Sequence, residues 1–127
     1  MVVLSKEHII ALHKRLIERY GGIHGVRDEG LLDSALNAPF QSFGGIEFFP
    51  TVIEKAVRLC VGLIRNHPFH DGNKRVGAMV LLSTLKRNRI RLKTNNAELT
   101  SVMLDLAVKR IDVDFLLSWV KDRMVLD

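Results

Sequence analysis

The sequence predicts an all-α fold, and three features carry that expectation. Apolar residues recur at helical spacing along most of the chain, cap-forming residues stand in front of these runs, and hardly any stretch reads as strand. About six helices are expected in a single domain over residues 1–127, arranged around a central buried helix and carrying a short flap. A chain of 127 residues can bury roughly two thirds of its unfolded surface, enough for its own core.

Taken in order, Ser5 caps a first helix with Ile9, Leu12, Leu16 and Tyr20 inward, flanked by Ile10 and Ile17, and Gly21-Gly22 ends it. Asp28 opens a shorter helix that buries Leu31, Leu32, Ala35 and Leu36 and closes at Ala38-Pro39. Between Phe40 and Pro50 the periodicity fails, and a Gly44-Gly45 pair sits among Phe40, Phe43, Phe48 and Phe49. Two readings stand here: an apolar loop tucked on the core, or a flap that lays a protein substrate along the site by strand addition.

Thr51 and Glu54 form a capping box for a third helix with Ile53, Val57, Cys60, Val61 and Ile64 inward. Val76 to Leu82 is apolar on every face, which predicts a helix enclosed by others. Arg87 to Lys93 alternates basic and apolar residues and reads as a short extended crossing. Asn95 and Glu98 make a second capping box before Leu99, Val102, Met103, Leu106 and Ala107, and Asp112 starts a last helix burying Val113, Leu116, Leu117 and Val120.

The formal charge of +5 and pI near 9.7 favour anionic partners without choosing among nucleotide, nucleic acid and acidic protein. Cys60, the single cysteine, lies in an apolar helical run and is expected to be a buried thiol of a reducing compartment, a poor nucleophile. Charge follows the first residues too soon for a signal peptide, and no apolar run spans a bilayer, so a cytoplasmic protein with no membrane partner is expected.

The chemistry gathers between the third helix and the apolar one, at His67-Pro68-Phe69-His70-Asp71-Gly72-Asn73-Lys74-Arg75. Pro68 stops helical geometry and leaves the His67 imidazole at a loop entrance, while Phe69 pins the loop to the core. Asp71-Gly72-Asn73 reads as a helix start with a carboxylate or amide cap and outward backbone N–H groups, an anion site. Lys74 and Arg75 place two cations in the first helical turn, where the helix dipole disfavours them unless an anion is bound. An imidazole, a carboxylate able to hold a divalent metal and a cationic anion cradle are the parts for phosphoryl or nucleotidyl transfer.

His67 to Arg75 resembles the signature of the Fic/Doc family, His-x-Phe-x-(Asp/Glu)-Gly-Asn-(Gly/Lys)-Arg, and is most similar to its Doc branch, the death-on-curing toxins of type II toxin–antitoxin pairs. Val26 to Leu36 resembles that branch too. The resemblance implies that His67 accepts the proton of a target hydroxyl, that Asp71 holds Mg²⁺, and that Gly72 and Asn73 form an anion hole beside Arg75, the cation on the phosphates. Lys74 stands where the adenylylating branch has glycine, which implies that ATP lies the other way round and its γ-phosphate is transferred. The implied product is a protein kinase acting on a threonine of elongation factor Tu and arresting translation, held in check by the C-terminal helix of a cognate antitoxin. The family's autoinhibitory pattern, (Ser/Thr)-x-x-x-Glu-(Gly/Asn), fails here because Leu99 follows Thr94 and Glu98.

Other readings stand beside this one. Adenylyl transfer is the first alternative. A nucleic-acid-binding or nuclease-like toxin would rest on net charge and the Arg87 to Lys93 stretch, although no direct nucleic-acid contact is expected. A catalytically idle binding partner ranks last, since the motif is intact. His67, His70 and Asp71 could in principle hold a transition metal for hydrolysis, but Pro68 breaks their common face and no third ligand is placed elsewhere. His8, His13 and His24 read as surface or boundary histidines.

Overall fold

Five of the six helix starts in the computed structural model, which describes residues 3–127, are set by a side chain that the sequence marks as a cap or helix start. Ser5, Asp28, Thr51, Asn95 and Asp112 each accept a backbone N–H three residues on, opening α1 (Lys6–Tyr20), α2 (Glu29–Asn37), α3 (Val52–Arg65), α5 (Asn96–Ala107) and α6 (Val113–Arg123). The exception is α4 (Asn73–Arg87), whose N-cap is Gly72 in the left-handed conformation with no side-chain cap. A turn of 3₁₀-helix, Ala38–Phe40, follows α2.

Among the described residues, strand is confined to two small ribbons. β1 (Ser42–Phe43) and β2 (Ile46–Glu47) pair antiparallel across Gly44-Gly45. β3 (Ile90–Leu92) pairs antiparallel with β4 (Met124–Leu126), with Arg91 opposite Val125. The extended reading of Arg87 to Lys93 thus finds a partner in the end of the chain, a pairing across more than thirty residues that local pattern does not encode.

Helices α3 and α4 pack along each other and form the centre. One side of this pair, with Leu59, Leu63, Val76 and Val80, meets Ile9 of α1, Leu32 and Ala35 of α2, and Phe69. The opposite side, with Val57, Val61, Leu81 and Leu85, meets Leu99, Met103 and Leu106 of α5 and Leu116, Trp119 and Val120 of α6. A buried helix is therefore central, as its apolar faces predict, but α3 shares that place: residues 55–57 and 59–64 are all buried. The two helices come close beside the loop that joins them, since a Cβ at Gly77 would lie 2.7 Å from Ile64 Cγ1. The loop is thus mounted between the two closely packed central helices.

Three inward assignments change. The buried stripe of α1 is Ile9, His13 and Ile17, an i, i+4 line, so His13 is interior and Tyr20 is 54% exposed. In α6, Trp119 joins the core while Val113 and Leu117 are half-buried. The hairpin segment is not tucked away, because Phe43 and Ile46 are 80% and 73% exposed and Phe40 and Phe48 are also out. Buried Lys55 of α3 ties the hairpin down: its ammonium pairs with Glu47 at 2.9 Å and donates to the Phe49 carbonyl.

Cys60 is buried beside Met103, and desolvation pushes its thiol up to about 12, so it stays protonated and inert. Among the described residues, no helix is long and apolar enough to cross a membrane.

Candidate active site

The loop between α3 and α4 begins where Pro68 forbids another helical turn. His67 takes a left-handed backbone, φ +52°, and its side chain is exposed at the rim. Phe69 turns inward to zero exposure and stacks on the His13 ring at 3.9 Å between centroids and 9° between planes. That buried ring contributes roughly 1.5–3 kcal/mol, and it anchors the loop as its sequence position predicts.

The segment joining α1 to α2 runs alongside and supplies the loop's backbone partners. Val26 bridges Phe69 in antiparallel fashion, His70 donates to the Gly25 carbonyl at 3.1 Å, and the Pro68 carbonyl accepts the N–H groups of Arg27 and Asp28. The Arg27 side chain donates to the carbonyls of His67 and Asn66, at 2.7 and 3.1 Å.

Asp71 is more deeply committed than a simple helix cap. Its carbonyl accepts from His13 Nε2 at 2.7 Å, Oδ2 accepts from the Ile23 N–H at 3.2 Å, and Oδ1 accepts from the Gly72 N–H at 2.9 Å. The predicted carboxylate cap is corrected accordingly, because the group that turns the chain into α4 is Gly72 itself, φ +74°. Each Asp71 oxygen keeps a lone pair, and Gly22 leaves room on the Oδ2 side, where a Cβ would fall 2.7 Å from that oxygen. Burial holds the His13 imidazole below its ordinary 6.5, outweighing the opposing pull of the Asp71 carbonyl. His13 is therefore a neutral interior donor to the loop, not the boundary histidine expected of it.

Asn73 folds back on the loop. Its Oδ1 accepts the Phe69 N–H and its Nδ2 donates to the Phe69 carbonyl, both at 3.0 Å, and Nδ2 also lies 3.0 Å from His67 Nδ1. Phe69 thereby fixes which end of the amide faces the imidazole. Nδ1 is the acceptor, and a neutral His67 ring carries its hydrogen on Nε2. The Asn73 amide is spent inside the loop, so the amide donor that the resemblance implies for the anion hole is engaged elsewhere in this structure. The backbone supplies donors in its place: no acceptor among the described residues meets the N–H groups of Asn73, Lys74 and Arg75 at the start of α4.

Lys74 and Arg75 are both exposed on that first turn. Lys74 has no bonded partner among the described residues, whereas the Arg75 guanidinium lies 4.3 Å from the ring centroid of Tyr20 at the end of α1. The structure thus gathers His67, Asp71, Gly72, Asn73, Lys74 and Arg75 in one turn of chain between two central helices. His8 lies near Arg87 and His24 is exposed, both outside it. Among the described residues, no three His, Cys, Asp or Glu side chains converge as a ligand set. A divalent ion here would rest on Asp71 and on oxygens of a bound phosphate, which is the habit of Mg²⁺ and not of a zinc cage.

Thr94 and Glu98 lie away from the loop on the α5 side. Glu98 accepts from Thr94 at 3.1 Å and from Arg123 at 2.6 Å, and Arg123 holds its carboxyl below the usual range. That carboxylate is occupied in holding α5 to α6.

A helical scaffold that presents an imidazole and a cationic helix start on one loop defines a candidate group-transfer protein. Residues 3–85 match the Fic/DOC family, and the chain belongs to that family. It is 34% identical over 99 residues, 75% of each chain, to the toxin Doc of Mycolicibacterium smegmatis. It is also 31% identical over 110 residues, 87% of this chain and 86% of the other, to the protein kinase doc of Escherichia phage P1.

Proposed function

We propose that this protein is a Doc-like toxin of a toxin–antitoxin pair that transfers the γ-phosphate of ATP to a hydroxyl of a protein target, by family resemblance a threonine of elongation factor Tu. The observation that carries the reading is the sharing of one loop by exposed His67 and by the free N–H groups, Lys74 and Arg75 at the start of α4. The likeness to a protein kinase doc supports phosphoryl transfer over adenylyl transfer, and Lys74 at the position that separates the two branches supports it again.

On this reading the backbone N–H groups of Asn73 to Arg75 and the Lys74 ammonium grip the phosphates, and Arg75 leaves the Tyr20 ring to join them. Asp71 holds Mg²⁺, which when bound offsets phosphate charge. His67 takes the hydroxyl proton. The bare nitrogen of the resting ring is Nδ1, so the ring swings off Asn73 to present it. The hydroxyl oxygen bonds to the γ-phosphorus as the bridge to the β-phosphate breaks, releasing ADP. Such a toxin requires a cognate antitoxin, and the exposed face of α1 with the apolar hairpin is a surface that an antitoxin helix would cover.

Incubating the protein with γ-labelled or α-labelled ATP and a bacterial lysate tests the reading. Label from the γ position alone, on one protein and lost in His67→Ala, is expected. Label from the α position alone would show adenylyl transfer and refute the kinase assignment.

A further inference from the structure

We infer that Arg27 is a positioning residue for His67, fixing the backbone pivot on which the imidazole turns; the inference rests on the catalytic role proposed above for that ring.

The two peptide planes flanking the His67 Cα are those whose carbonyls belong to Asn66 and His67. Their relative orientation is the φ, ψ pair of His67, and it determines where the Cα–Cβ bond points. Both carbonyls accept from one guanidinium, His67 O from Nε at 2.7 Å and Asn66 O from Nη2 at 3.1 Å. Because the guanidinium is planar and rigid, it holds the two planes at a fixed mutual angle, which a lysine ammonium on a flexible stem does not. The next carbonyl, Pro68 O, is held by the Arg27 and Asp28 N–H groups at 2.7 and 3.1 Å. Arg27 therefore grips three consecutive carbonyls from a position forty residues away in sequence.

A grip is needed there because His67 sits at φ +52°, a strained conformation that a residue with a Cβ keeps only where its surroundings impose it. The charge suits the place as well, since these are the carbonyls that follow the C-terminal end of α3, the negative pole of the helix. Asn73 acts on the other end of the same residue, at Nδ1. One side chain sets the pivot and the other parks the ring. Arg27 is exposed, so its bonds add little to global stability. Their effect falls on geometry.

The test compares Arg27→Ala and Arg27→Lys with the wild-type full chain. Transfer from γ-labelled ATP to lysate protein is followed alongside the His67 Cα shift and HN–Hα coupling in isotope-labelled protein. Arg27→Ala is expected to lower the transfer rate at saturating ATP by about tenfold or more while the ATP concentration for half-maximal rate changes less than about threefold. Its His67 signals leave their left-handed values, and the melting temperature stays near wild type. Arg27→Lys, which keeps the charge and serves equally if the alanine variant fails to fold, is expected to remain impaired. Full activity in Arg27→Lys would overturn the inference, and so would unmoved His67 signals in both variants. If the wild-type protein transfers no label, the proposed function fails, and the His67 signals alone then decide the role of Arg27.

Discussion

Asn73→Ala is expected to damage the fold, although Asn73 lies beside the solvent-facing residues of the motif. The substitution removes the acceptor of the Phe69 N–H and the donor to the Phe69 carbonyl, both in a buried setting. A buried group left unsatisfied costs about 1–3 kcal/mol, so two of them cost roughly 2–6 kcal/mol before the loop relaxes. At roughly 4 °C per kcal/mol for a chain of this size, a fall of about 10 °C in melting temperature is expected by calorimetry. Asn73→Asp sharpens the test. The introduced carboxylate keeps the Phe69 N–H but turns an oxygen toward the Phe69 carbonyl, so at neutral pH it should be at least as damaging as alanine. Its carboxyl is then harder to ionise in the folded than in the unfolded protein. The unfolded state loses that proton first, and the deficit against wild type should shrink as pH falls through the raised folded value. A drop of under about 3 °C for Asn73→Ala, or a deficit in Asn73→Asp that does not change with pH, would refute this account of the loop.

Further expectations follow from the neighbours of that loop. Gly22→Ala puts a Cβ 2.7 Å from Asp71 Oδ2 at φ +119°, so it should destabilise by about 1–3 kcal/mol and raise the magnesium concentration needed for half-maximal transfer, both measurable on the purified variant. His13 has a folded-state value held below 6.5, so its contribution is fully present above pH 6.5 and is lost as pH falls toward the lower folded value. Chemical denaturation across that range should show the decline, and His13→Gln should flatten it. Lys55→Met removes the Glu47 ion pair and the donor to Phe49 while keeping the apolar stem, so hydrogen exchange should accelerate at residues 41–49 well before the rest of the molecule opens. In resting wild-type protein, ¹⁵N shifts should place the neutral His67 hydrogen on Nε2; an Nδ1–H tautomer would contradict the Asn73 contact.

The helical fold was readable because its information is local. Ser5, Asp28, Thr51, Asn95 and Asp112 act within three residues of themselves, and the apolar periodicity behind each is a neighbour effect. The α1 stripe was misplaced because its central member is a histidine, whose burial depends on Phe69 and the Asp71 carbonyl far along the chain. The β3–β4 pairing, the inward Lys55 and the Arg27 contacts were hidden for the same reason, since each joins positions that spacing does not relate. Residue types in the loop marked it as the candidate site but not how its side chains divide their contacts. Asn73 reads equally well as an outward donor or as a clasp on the residue four before it, and only the path of the backbone decides.

The clasp on the loop comes from far upstream: His13 reaches Asp71 across 58 residues and Ile23 reaches it across 48. On the proposed reading, a molecule in which residues 21–28 have peeled back while the helices stay folded carries every chemical group and yet is unarmed. On that reading, a binder that prised the connector loose would silence the protein from the side without ever entering the cleft.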